Sequence, residues 1–117
     1  MNQHEKINYI ELPARDLEKA RSFFADVFNW AFVDYGPDYT AFNDGVLNGG
    51  FYKSDNRSAT SDGAALIVFY SSDLAATQAK ILEAGGNIVK PTFQFPGGSR
   101  FHFSDPNSNE YAVWSDS

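Results

Sequence analysis

Arg100-Phe-His-Phe-Ser-Asp-Pro-Asn-Ser-Asn-Glu-Tyr-Ala-Val-Trp114 reads as two β-strands joined by a tight loop. Asp105-Pro106-Asn107-Ser108-Asn109 supplies the loop, because proline fixes its own φ and Asn and Asp tolerate turn conformations. With Ser104 opposite Glu110, His102 faces Ala112 and Arg100 faces Trp114. Successive side chains point to opposite faces of a strand, so Phe101, Phe103, Tyr111 and Val113 share one wholly apolar face. That side of the hairpin is core. The other side carries Arg100, His102, Ala112 and Trp114, a set expected to line a pocket.

Upstream of the hairpin, Ile88 to Phe95 is a strand in which Pro91 marks an edge or a bulge, and Pro96-Gly97-Gly98 is the turn after it. Asp73 caps a helix over about 73–85 that carries Leu74, Thr77, Ile81 and Leu82 and stops at Gly85-Gly86. Ala65 to Tyr70 is the strand before that helix. The same order occupies the first half of the chain. Ile7 to Leu12 alternates as a strand and ends at Pro13-Ala14. Asp16 caps a helix over about 16–28, with Leu17, Ala20, Phe24, Val27 and Phe28 at helical spacing and Asn29 in the left-handed position after it. Ala31–Tyr35, Tyr39–Phe42 and Leu47–Tyr52 follow as strands, with turns at Gly36-Pro37-Asp38 and Asn43-Asp44-Gly45. Lys53 to Gly63 is polar and aperiodic, and reads as a linker or mobile loop.

The chain is therefore βαβββ twice. The fold class is α+β: two βαβββ modules with paired, curved mixed sheets around a cavity and helices outside. One domain spans 1–117, with module one over about 5–52, a linker over about 53–63 and module two over about 64–115. A length of 117 residues is that of one domain, and an apolar fraction of 43% supplies its core. Eleven Phe and six Tyr suit a sheet-rich interior rather than a Leu-rich bundle. A formal net charge of −6 leaves no basic stripe to neutralise phosphates, so no nucleic-acid partner is expected. The absence of Cys excludes disulfides, thiolate catalysis and a Cys-type zinc site. The polar N-terminus leads straight into a strand, with no signal peptide or membrane span in view. A soluble, cytoplasmic protein with no membrane partner is the expectation.

Three stretches carry a family likeness: I-N-Y-I-E-L-P-A-R-D-L-E-K-A-R-S-F-F-A-D-V-F-N-W, S-S-D-L-A-A-T-Q-A-K-I-L-E-A-G-G and F-S-D-P-N-S-N-E-Y-A-V-W. Together with the doubled layout they resemble the vicinal oxygen chelate superfamily. That group holds glyoxalase I, bleomycin-resistance and fosfomycin-resistance proteins and extradiol dioxygenases. The likeness is in particular to its small glyoxalase-related members of unknown substrate. Asn29 stands where such proteins usually carry Gly, and Asn107-Ser108 where they carry an acidic residue and Gly. In catalytic members, His, Gln or Glu from four strands hold a divalent ion. The resemblance places those positions at about Ile7, between Gly49 and Phe51, near Leu66, and at Ala112. None has a ligating side chain, and a divalent ion needs several N or O donors together. The resemblance thus implies the fold, but no metal or other cofactor at the usual place. It also implies a homodimer, through sheet pairing between chains or modules.

The leading reading is a metal-free member that binds a small organic molecule, partly aromatic or anionic, through Tyr9, Tyr70, Arg100, His102 and Trp114, with no catalytic residue assigned. Each residue has a plainer reading. His102, the only internal histidine, either binds or protonates a ligand or is a strand histidine bonded to a neighbour. Arg100 and Trp114 either form a structural cation–π pair or present a guanidinium to an anion. Tyr9 and Tyr70 either stack on a ligand or fill a small cavity. Glu11 and Glu110 have the face parity of displaced metal ligands, although a Glu at a strand end is more often a solvated charge; His4 is a weaker candidate still. Two rival functions stand beside this reading: a metal-dependent lyase or dioxygenase with an atypical site, and a non-catalytic association module.

Overall fold

The computed structural model describes residues 2–117 as eight strands and two α-helices. The first module comprises β1 (Tyr9–Ala14), α1 (Leu17–Phe28), β2 (Ala31–Asp34), β3 (Tyr39–Asn43) and β4 (Asn48–Lys53). The second comprises β5 (Ile67–Tyr70), α2 (Leu74–Glu83), β6 (Asn87–Phe95), β7 (Gly98–Ser104) and β8 (Glu110–Ser115). The linker contains a single 3-10 turn, Thr60–Asp62. Strand order is β1-β4-β3-β2 in the first sheet and β5-β8-β7-β6 in the second. β1 runs parallel to β4 and β5 parallel to β8, while the other pairs are antiparallel. Both sheets are therefore mixed, and the two βαβββ modules expected from the doubled pattern are present. The sheets do not close into a barrel. Among the described residues, no helix is long and apolar enough to cross a membrane.

Local chemistry accounts for the element ends. The Asp16 and Asp73 carboxylates accept the amides of Lys19 and Ala76, each at 3.1 Å, giving first-turn donors of α1 and α2 a partner. Asn29 closes α1 at φ 60°, in the left-handed region. β1 runs on through Pro13 and Ala14 rather than stopping before them. It is an edge strand with β4 as its only neighbour, so a missing N–H is tolerated on its open side. β6 is also an edge strand, and its Pro91 lies within the second of its two register shifts, between Lys90 and Phe93, as a proline in a bulged edge should.

One core serves both modules. The Phe24 ring of α1 lies 5.5 Å from Phe51 in the first sheet and 5.4 Å from Tyr111 in the second. Phe28 stacks on Phe69 at 4.2 Å, and Trp30 on Phe42 at 4.2 Å. Phe101, Phe103, Tyr111 and Val113 are fully buried in the same cluster. Because both core faces turn toward α1, the opposite face of each sheet is open, and Tyr9, Val33 and Tyr52 on the first and Val68 and Tyr70 on the second stay exposed.

Candidate functional site

β7 and β8 pair in the register that the loop sequence implies: Arg100 with Trp114, His102 with Ala112, and Ser104 with Glu110. Arg100, His102 and Trp114 thus share the open face of the second sheet. Tyr70 joins them, since β5 pairs with β8 and sets Tyr70 beside Trp114, ring centroids 5.2 Å apart. Tyr9 does not: it lies on the first sheet, where its hydroxyl meets that of Tyr39. Tyr39 in turn donates to Glu11 at 2.8 Å, reaching it across Gly50, where any Cβ would collide with the tyrosine ring. Burial and these two hydrogen bonds push the Tyr39 hydroxyl far above the usual phenol range, so it acts as a donor.

His102 is the polar centre of the open face. Its side chain is 9% exposed, and Nδ1 lies 2.8 Å from Glu110 Oε2. A carboxylate only accepts, so Nδ1 carries a proton and Nε2 is the free nitrogen. Glu110 is held in its turn by Thr60, whose amide and hydroxyl both donate to Oε1, at 2.9 and 2.8 Å. Burial alone would push the Glu110 carboxyl up, but the hydrogen bonds from His102 and Thr60 outweigh it and hold it below its ordinary value. His102 Nε2 and Arg100 Nε are buried and have no hydrogen-bond partner. Buried donors and acceptors left unpaired cost free energy, so two on one face mark a place where a partner is missing.

The cation–π contact of Arg100 is not with Trp114, its neighbour in register. Its guanidinium sits 5.3 Å from the Phe93 ring and 5.8 Å from Phe95, both on β6, while Phe95 lies 6.3 Å from Trp114. Phe93, Phe95 and Thr60 belong to the site and were not legible by counting along the strands. The signal that pointed to them was Pro91, which marks the bulge that brings Phe93 to this face. A cavity of about 1100 Å³ lies elsewhere, in a groove between β1 and the linker lined by Ile10, Glu11, Tyr52, Arg57, Leu66 and others. Its Arg57 is paired with Asp62 at 3.3 Å and its Glu11 with Tyr39, so size alone recommends it. The two unpaired buried nitrogens, Arg100 Nε and His102 Nε2, favour the β7–β8 face.

A model of the Glyoxalase/Bleomycin resistance protein/Dioxygenase superfamily matches residues 6–113. The chain belongs to this superfamily. Similar solved structures include a glyoxalase-related enzyme from Fulvimarina pelagi, 17% identical over 95% of this chain and 88% of the other, with a TM-score of 0.78. A genomically encoded fosfomycin resistance protein from Listeria monocytogenes is 18% identical over 97% and 94%, with a TM-score of 0.79. Lactoylglutathione lyase from Agrobacterium tumefaciens is 19% identical over 97% and 96%, with a TM-score of 0.71. At these identities the likeness establishes the fold. No protein of curated function matches the chain in sequence.

Catalytic members of the superfamily hold a divalent ion, and within one chain the described side chains do not assemble a ligand set for one. Among the described residues, no three His, Cys, Asp or Glu side chains come together. His102 and Glu110 are adjacent, but both Glu110 oxygens are already engaged, by Thr60 and by His102 itself. Glu11 accepts from Tyr39 and lies on the other sheet. His4 pairs only with its exposed neighbour Glu5.

Glu110 also anchors the linker, whose Ser58 carbonyl accepts the Glu110 amide at 2.8 Å. A carboxyl held below its ordinary value stabilises the fold above that value, 4.5, and the contribution fades as pH falls through the lower, folded one. Acidification below 4.5 should therefore loosen the linker, read as faster hydrogen exchange at the Thr60 amide. Glu110→Ala should loosen it at neutral pH, read as faster tryptic cleavage after Arg57. Unchanged exchange and cleavage would show that the other bonds suffice.

Proposed function

We propose that this protein binds a small organic molecule on the open face of β5–β8, without a divalent ion. The observation that carries the reading is the pair of buried, unpartnered atoms, Arg100 Nε and His102 Nε2, on a face walled by the rings of Phe93, Phe95, Trp114 and Tyr70. Small-molecule sites combine apolar and aromatic walls with a few placed polar groups of this kind. Arg100 and His102 orient the ligand, and the rings supply contact area. A homodimer completes the site. The open faces of one chain turn away from its own core, so the first sheet of a second copy, with Tyr9, Tyr39 and Glu11, is the surface able to close over the second sheet of the first.

Four measurements test the proposal. A small-molecule screen by thermal shift should find compounds that raise the midpoint, since a ligand specific for the native state stabilises it. Arg100→Ala should weaken the binding of such a compound by about 1.5–3 kcal/mol if a charged hydrogen bond is lost. Light scattering should give the mass of a dimer, and metal analysis without added ions should find no stoichiometric metal. One-to-one zinc, nickel, iron or manganese that survives chelation would overturn the metal-free reading and favour a lyase or dioxygenase.

A further inference from the structure

We propose that Lys90, Arg100 and His102 form a single cradle for the anionic head of the ligand, and that the site takes a small organic acid with a flat apolar body. This rests on the ligand-binding reading of the same face. The three groups converge on one ring. Lys90 Nζ lies 4.4 Å from the Phe93 centroid, the Arg100 guanidinium 5.3 Å from it, and the His102 ring 6.0 Å. Strand parity alone would put Lys90 and Phe93 on opposite faces of β6, because they are three apart. Lys90 pairs with His102 and Phe93 with Arg100, so β6 spends three residues where β7 spends two. That extra residue is a bulge, and it turns both side chains to the open face.

The charge of this cluster is unbalanced. Among the described residues, no carboxylate forms an ion pair with Lys90 or Arg100. Of the acids at this face, Glu110 is spent on Thr60 and on His102 Nδ1, and Asp116 accepts from the Tyr70 hydroxyl at 2.8 Å. In a chain of net charge −6, two unpaired cations and a buried histidine around one aromatic ring are a local reversal of sign. A guanidinium suits the planar, two-oxygen edge of a carboxylate, and the Phe95 and Trp114 rings beside it suit a flat apolar body.

Glu110 is a positioning residue here. By taking Nδ1–H it leaves Nε2 to the ligand. A carboxylate beside Nε2 needs a proton there, so binding should draw one in. Within one chain the charged groups facing His102 are Glu110 from β8, Lys90 from β6 and Arg100 from β7, and in the proposed dimer the Glu11 of the second copy, held by its Tyr39, would face it as well. The added anion gives the imidazolium a second negative partner beside Glu110.

The probe pair is benzoate and its neutral counterpart benzyl alcohol, titrated into the full chain while β7 and β8 amide signals are followed by NMR. Benzoate should shift those amides saturably, and benzyl alcohol should bind at least about tenfold more weakly, the scale of one charge-assisted hydrogen bond. Arg100→Gln should reduce benzoate affinity by a similar factor and leave benzyl alcohol unchanged. Lys90→Gln, at an exposed position, gives the same test without risk to the fold. If benzyl alcohol binds as well as benzoate at these amides, or both glutamine variants leave benzoate unaffected, the anion cradle is overturned while the ligand face stands. If neither probe shifts these amides, the cradle and the ligand face fail together.

Discussion

Tyr111→Ala should lower the free energy of unfolding by about 3–5 kcal/mol, the cost of removing a large buried aromatic ring. Tyr111 is fully buried and packs against three rings, Phe103 at 5.1 Å, Phe24 at 5.4 Å and Phe69 at 6.0 Å. Its hydroxyl also donates to Asp105 at 2.7 Å. Tyr111→Phe keeps the ring and loses only that bond, so it should cost about 1–3 kcal/mol, the penalty for stranding a buried acceptor. The phenol stays neutral, because burial and the Asp105 charge push its pKa well above the usual value. Burial likewise raises the Asp105 carboxyl, against the hydrogen bonds that favour its ionised form. A raised carboxyl adds stability below its ordinary value, 3.8, and loses it as pH rises through the folded value. The Tyr111→Phe deficit should therefore shrink on acidification, as Asp105 takes a proton and needs fewer donors. Urea unfolding at neutral and acidic pH measures both effects. A Tyr111→Ala loss no larger than that of Tyr111→Phe would mean that the ring is not part of the shared core.

Asn109→Ala should cost about 2–6 kcal/mol, because it strands two backbone groups at once and each such loss is worth about 1–3 kcal/mol. The Asn109 amide donates to the Pro13 carbonyl at 2.7 Å and accepts the Ser58 amide at 2.8 Å, tying β1 and the linker to the β7–β8 loop. Asn107 makes a second tie: it accepts from the Asp16 amide at 2.9 Å and donates to the Asp16 carbonyl at 3.0 Å. The loop that turns the hairpin is thus also a clasp between the modules. The expected signature is a fall in urea midpoint together with faster exchange of the Ser58 amide. A loss confined to stability, with the Ser58 amide still protected, would place the effect in the loop alone.

Patterns of short range determined a large part of this protein. The hairpin register, the two capped helices, the doubled βαβββ order and the split of β7 and β8 into core and open faces all follow from periodicity, caps and turn residues. Those features depend on neighbours a few positions away, and residues do not change face unless the strand is interrupted. That Ile7, Leu66 and Ala112 carry no side-chain donor atom is likewise a matter of the sequence alone.

The tertiary structure decided what depends on distant segments. The bulges of β6 bring Lys90 and Phe93 to the face of Arg100 and draw the guanidinium away from Trp114. No count along the chain locates a bulge to the residue; Pro91 only announces that one is near. Thr60 reaches Glu110 across fifty residues of sequence, so a stretch that reads as an aperiodic, mobile linker is in fact pinned. Tyr9 has the parity of a site residue but belongs to the other sheet, because parity assigns a face within one sheet and says nothing of which sheets meet. That choice is made by the core: α1 buries side chains against both sheets at once, and the opposite face of each sheet stays open.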